Sequence, residues 1–62
     1  MTLKEFFVNT DIECIHVGNV SGHWHDDHVL DYIVDHQTEE VDEDRTRTEG
    51  DTTYVFLKKG GN

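Results

Sequence analysis

The spacing of hydrophobic residues along this chain changes period, and each change marks an element. Thr2-Leu3-Lys4-Glu5 has the form of a capping box. The Thr2 hydroxyl accepts from the Glu5 N–H, and the Glu5 carboxylate accepts from the Thr2 N–H. Leu3, Phe6 and Phe7 follow at i, i+3 and i+4, giving one apolar face of a short helix that Asn9-Thr10-Asp11 ends. Ile12 to Val17 predicts a strand with Ile12, Cys14 and His16 on a buried face and Glu13, Ile15 and Val17 on the other. Gly18-Asn19 supplies a turn, and Val20 to His25 predicts a returning strand that Gly22 weakens.

From Asp27 to about His36 the period becomes helical. Val29, Leu30, Ile33 and Val34 fall in one arc, and Asp27, Asp31 and Asp35 recur at i, i+4 and i+8 on the adjoining one. Asp26 or Asp27 suits the N-cap. Val41 to Thr48 predicts a strand, Glu49-Gly50-Asp51 a reversal, and Thr52 to Lys58 a central antiparallel strand that is apolar on both faces. Lys59-Gly60-Gly61-Asn62 reads as a frayed tail. The predicted fold is one α+β domain over residues 1–62, with an N-terminal helix and a second short helix packed on an antiparallel sheet of three or four strands. Its expected core is Leu3, Phe6, Phe7, Ile12, Cys14, Ile33, Val55 and Leu57.

Composition sets the stability and the compartment. Sixty-two residues leave room for one small core, so stability is expected to be a few kcal/mol, and a partner or a second copy would add to it. Hydrophobic residues are only 34% of the chain, but they are clustered and include Trp24, two tyrosines and three phenylalanines, which argues against outright disorder. With Cys14 as the one cysteine, no intramolecular disulfide forms, as expected of a reducing cytoplasm. No apolar run approaches a membrane span, and Met-Thr-Leu-Lys-Glu-Phe-Phe lacks the apolar stretch of a secretory leader.

Charge is the most informative feature. Asp26 to Asp51 holds eleven of the fourteen acidic residues against two bases, Arg45 and Arg47, and so carries the entire net charge of −9. Charge needed only for solubility is normally interspersed with the opposite sign. A protein this anionic repels nucleic acid and anionic lipid, so the expected partner is basic. In the predicted elements Asp27, Asp31 and Asp35 lie about 6 Å apart along the helix. Glu40, Asp42 and Asp44 lie about 6.6 Å apart on one strand face. Both spacings are close to that of successive phosphates on a nucleic-acid strand, which is roughly two 3.4 Å steps. Glu39 and Glu43 add charge between them, and Trp24 and Tyr32 are candidate aromatic anchors.

Enzyme chemistry finds little support. Cys14 and His16 share a predicted strand face, but a thiol on a buried face is inert. No phosphate-cradling glycine loop is present, and Asp42-Glu43-Asp44 lacks the order of a calcium loop. The expectation is a non-enzymatic protein without a resident cofactor. His23-Trp24-His25-Asp26-Asp27-His28 reads H-x-H-x-D-H and resembles the zinc signature of the metallo-β-lactamase superfamily. That resemblance implies His23 and His25 as ligands of a first zinc, and Asp27 and His28 as ligands of a second. It covers six residues, and the chain is several-fold too short for the two αββα halves of that fold, so the catalytic reading fails. A simpler metal site built on His23, His25 and His28, for zinc or nickel and with His16 as a further ligand, is the alternative class. A virion assembly subunit is another.

Met1-Thr2-Leu3-Lys4-Glu5-Phe6, a β segment near residue 12, a short helix and a closing hairpin ending Tyr54-Val55-Phe56-Leu57-Lys58 together resemble the small acidic open reading frames of bacteriophages that infect Gram-positive bacteria. That resemblance implies a host-takeover or anti-defence protein. Acidic members of this kind act as nucleic-acid mimics against restriction enzymes, CRISPR effectors, uracil-DNA glycosylase or RNA polymerase.

Overall fold

A computed structural model describes residues 1–58, so the predicted tail at 59–62 lies outside the described residues. In chain order the elements are α1 (Leu3–Asn9), β1 (Cys14–Val17), β2 (Val20–His23), α2 (Asp27–Asp35), β3 (Arg47–Glu49) and β4 (Thr52–Val55). The four strands form one sheet in the order β2-β1-β4-β3. The α+β class is as expected. The sheet is mixed, however, and not antiparallel throughout: β1 pairs antiparallel with β2 and β4 antiparallel with β3, while the inner strands β1 and β4 run parallel. Local turns specify the two hairpins. The parallel pairing between them is a long-range contact that needs a crossover, here the α2 segment, and hydrophobic period does not encode it.

The capping box of α1 forms as the sequence requires: the Glu5 N–H donates to Thr2 Oγ1 at 3.2 Å, and the Thr2 N–H donates to Glu5 Oε1 at 2.9 Å. Two further first-turn donors, which a helix cannot satisfy itself, are taken by the acidic loop. Leu3 N donates to the Glu39 carbonyl at 2.8 Å and Lys4 N to the Gln37 carbonyl at 3.2 Å. Leu3 is wholly buried, with Phe6 and Phe7 packed half-buried beside it.

Strand β1 corrects the predicted facing. Ile15 and Val17 are fully buried, His16 is exposed and Cys14 is half-buried. The chain bends at Glu13, so Ile12 reaches the core from before the strand while the alternation restarts one residue out of phase. The physical preference is clear. Two branched aliphatic chains inside lose more apolar surface to the core than a cysteine and an imidazole, which would also need desolvating. Val29 and Ile33 of α2, Val55 of β4 and Val41 complete the buried set with Leu3 and Ile12. Leu57 is only partly buried, and Val34, expected on the apolar arc, is exposed.

The predicted strand from Val41 to Thr48 is also corrected. Only Arg47–Glu49 pairs as a strand, while Val41 makes an isolated bridge to Leu57 and Glu40 one to Thr2. Between the partners Leu57 and Tyr54 the chain takes three steps, whereas between Val41 and Arg47 it takes six, so the intervening residues bulge out as a turn. The Asp42 carbonyl holds that turn, accepting from Arg45 N at 3.2 Å, Thr46 N at 3.1 Å and Thr46 Oγ1 at 2.9 Å. A straight strand would place the Asp42 and Asp44 carboxylates in one row with nothing to offset them; the turn relieves this. No helix among the described residues is long and apolar enough to cross a membrane.

The altered facing of β1 makes a direct prediction. Ile15→Ala should cost about 3 kcal/mol, most of the stability of so small a domain. Cys14→Ala should cost about 1 kcal/mol or less. Urea denaturation measures both, and equal losses would contradict this packing. A second prediction concerns pH. Hydrogen bonds from the Thr2 backbone N–H, and secondarily from its hydroxyl, hold the Glu5 carboxyl below its ordinary value. A depressed folded value stabilises the fold above the unfolded titration, and the contribution is lost as pH falls through the folded value. Glu5→Gln, which removes the titrating carboxyl, should therefore flatten the acid side of the urea-midpoint-versus-pH curve. A variant curve parallel to the native one would show that the box carries no linkage.

Candidate functional site

Helix α2 divides the site into three stripes. Val29 and Ile33 face the core. Asp27, Asp31 and Asp35 are exposed along the outer side, with successive carboxylates about 6 Å apart in axial rise. Among the described residues none of these three carboxylates makes an ion pair or a hydrogen bond. Tyr32 and His36, also four residues apart, form the third stripe, with rings stacked at a centroid separation of 4.1 Å.

The structure does not gather the remaining acidic candidates into a second row. Glu39 is bonded to His36 Nδ1. Glu40 and Glu43 each lie 3.3 Å from the Met1 ammonium, whose pKa they raise. Asp42 is half-buried at the base of the bulge and Asp44 is exposed on it. The row of Glu40, Asp42 and Asp44 at strand spacing is not formed, because these residues are not on a strand.

The histidine run spans the junction from the last residue of β2, His23, to the first turn of α2, which holds His28, and its geometry is that of a closed turn. Asp26 is the N-cap of α2, but its carboxylate accepts from His23 N at 2.9 Å instead of capping the helix. Asp26 N in turn donates to the His23 carbonyl at 3.0 Å. The rings of His23 and His25 stack at 5.5 Å, and each Nδ1 is 3.9 Å from an Asp26 oxygen. His28 turns away from them: its Nε2–H donates to the Ser21 carbonyl at 2.7 Å. Among the described residues no three His, Cys, Asp or Glu side chains are placed to hold a metal ion. Trp24 stands half-exposed, edge-on to His25, over a 220 Å³ depression lined by Phe7, Val8 and Ile12.

A larger feature was not anticipated from sequence. A cavity of about 420 Å³ opens beyond the C-terminal ends of the parallel pair β1 and β4. Tyr32 and His36 form its helix side; His16, Tyr54 and Phe56 line the sheet side, and Arg45 and Lys58 supply positive charge. Tyr32 therefore faces this cavity, seated over the β1–β2 turn. Burial, and secondly the charge of Glu39, push its phenol pKa up. The seat exists because residue 18 is glycine at φ +60°: a Cβ there would lie 2.2 Å from the Tyr32 hydroxyl. The bulge at residues 43–46 brings the Arg45 guanidinium over the Phe56 ring, 4.6 Å from its centroid.

Gly22 governs the histidine turn in the same way. At φ +155° it has no room for a side chain, since a Cβ would sit 2.7 Å from Asp26 Oδ2 and 3.0 Å from His28 Nε2. Gly22→Ala should cost about 2 kcal/mol and displace the His28 ring. Gly50→Ala, at φ +61° but facing open space, should cost about 1 kcal/mol. Urea denaturation with histidine NMR shifts reads both effects; a larger loss at Gly50 would refute the packed turn.

No family model matches this chain, and neither a curated protein nor a solved structure matches it significantly.

Proposed function

We propose that this chain is a non-enzymatic interaction protein that acts in the cytoplasm by occupying a basic, nucleic-acid-binding surface of a host protein. The observation that carries this reading is the outer stripe of α2: three exposed aspartates at regular helical spacing, with no cation engaging them among the described residues. A row of this kind meets lysine and arginine in a groove that normally holds phosphates, and it speeds association and fixes register more than it adds affinity. Among the described residues Glu39, Glu40 and Glu43 have partners within the chain, so the surface assigned to the partner is the outer side of α2. Trp24, half-exposed near the start of α2, supplies an aromatic anchor of the kind that dominates binding energy. The resemblance of the sequence layout to small phage proteins supports a role in host takeover or in countering host defence.

Capture from host lysate at low and high salt, with bound proteins identified by mass, should yield a nucleic-acid-binding protein released by salt. With that protein immobilised, reversing Asp27, Asp31 and Asp35 to lysine should slow association by roughly tenfold or more and flatten its salt dependence. An association rate and salt slope that survive the reversal would rule out α2 as the contact.

A further inference from the structure

We infer that the cavity at the C-terminal ends of β1 and β4 is a binding site for a nucleoside monophosphate: one planar nitrogen base carrying one phosphate. The inference is independent of the α2 surface. It rests on how aromatic, cationic and hydrogen-bonding groups are distributed within one concavity.

At about 420 Å³ the cavity lies within the size range of small-molecule sites. Its two sides are aromatic, with the Tyr32–His36 stack on the helix and Tyr54 and Phe56 on the sheet. Aromatic side chains are a usual platform on which a nucleobase stacks. The edges are polar and unoccupied: among the described residues neither the Tyr32 nor the Tyr54 hydroxyl makes a hydrogen bond. His36 is oriented by Glu39 at Nδ1, which leaves Nε2 free of any protein partner among the described residues. With Nδ1–H on Glu39, Nε2 of the neutral ring accepts from a ring or exocyclic N–H, and the phenols donate or accept.

The phosphate end is marked by Arg45. In a chain with fourteen acids and five Lys or Arg residues, this guanidinium pairs with no carboxylate among the described residues. It lies instead on the face of Phe56, which leaves its N–H edges available. A flat, oriented guanidinium is the group best matched to two phosphate oxygens. Lys58 adds a second positive charge to the same lining. Glu39 and the aspartates of α2 lie on the helix side, so the orientation follows: base against Tyr32 and His36, phosphate toward Arg45.

The test is an amide chemical-shift titration of the isotope-labelled chain with AMP, GMP, CMP and UMP, with adenosine and inorganic phosphate as separate probes. At least one mononucleotide should saturate, shifting the amides of His36, Tyr54 and Phe56, and each half-ligand should bind roughly tenfold or more weakly. Arg45→Gln and Phe56→Leu, both at exposed positions, should keep the native amide spectrum and lose roughly tenfold or more in affinity. Asp31→Asn should bind as the native chain does, which separates this site from the α2 surface. The proposal is overturned if no mononucleotide saturates at about millimolar concentration, if Arg45→Gln binds equally well, or if phosphate alone binds as tightly as the nucleotide.

Discussion

The parallel seam between β1 and β4 joins two hairpins that would each be marginal alone. Across it Ile15 stands opposite Thr53 and Val17 opposite Val55, and all four side chains are buried on the face that α2 covers. Thr53 is the one polar member, and its hydroxyl is satisfied by the Thr48 hydroxyl on the neighbouring strand at 3.1 Å. This is the arrangement a buried hydroxyl needs if it is not to cost stability. Because the seam joins residues far apart in sequence, its closure must overcome the entropy of the whole intervening loop before the core forms. Among the described residues eight buried apolar side chains, with Phe6, Phe7, Val20, Tyr32 and Leu57 packed partly buried against them, are the return on that cost, and each of the eight matters more than it would in a larger domain.

Self-repulsion is the second constraint, and the acidic stretch meets it segment by segment. The backbone carbonyls of Gln37 and Glu39 are used to finish α1, and the Glu40 carbonyl accepts from Lys58 N at 2.8 Å. The Glu40 and Glu43 side chains surround the Met1 ammonium. Asp42 and Asp44 are separated by the turn that replaces a straight strand. Among the described residues the carboxylates of Asp44 and Asp51 are also exposed and unpaired, but only α2 presents such acids in a regular row. A small domain that neutralises or disperses most of its acids and leaves one regular row uncompensated accepts a stability loss there, and functional surfaces are where such a loss is expected.

Legibility followed the range of the interactions. The capping box, the α2 boundaries and both turns were readable because each depends on residues within a few positions, as with Thr2 and Glu5 or the Glu49-Gly50-Asp51 reversal. The facing of β1 was not, because Ile12 and Ile15 are both buried and no strict alternation can bury both; only the bend at Glu13 resolves the conflict. The bulge at residues 43–46 was hidden for a related reason: Val41 and Arg47 each pair with the same terminal segment, and a pattern of two-residue periods cannot show residues looped out between them. The cavity left no local signal. Its residues come from β1, α2, the bulge and the end of β4, and only the parallel seam brings them together.

The same geometry explains how one anionic chain can present both an acidic row and a phosphate site. On a helix, residues 31 and 32 are about 100° apart, so the Asp27–Asp31–Asp35 row and the Tyr32–His36 stripe occupy neighbouring arcs of α2. The Debye length in physiological salt is about 8 Å, and the molecule measures 30 × 23 × 21 Å. An anion in the cavity is therefore governed by groups within one or two side chains of it, not by the total of −9. Of the charged groups that line the cavity, Arg45 and Lys58 are cationic and Glu39, on the helix side, is the carboxylate. A single phosphate can sit wholly at the favourable edge. A nucleic-acid strand, with phosphates on both sides of any stacked base, would have to run one of them past the aspartates. The charge arrangement that excludes a polymer is thus compatible with its monomer.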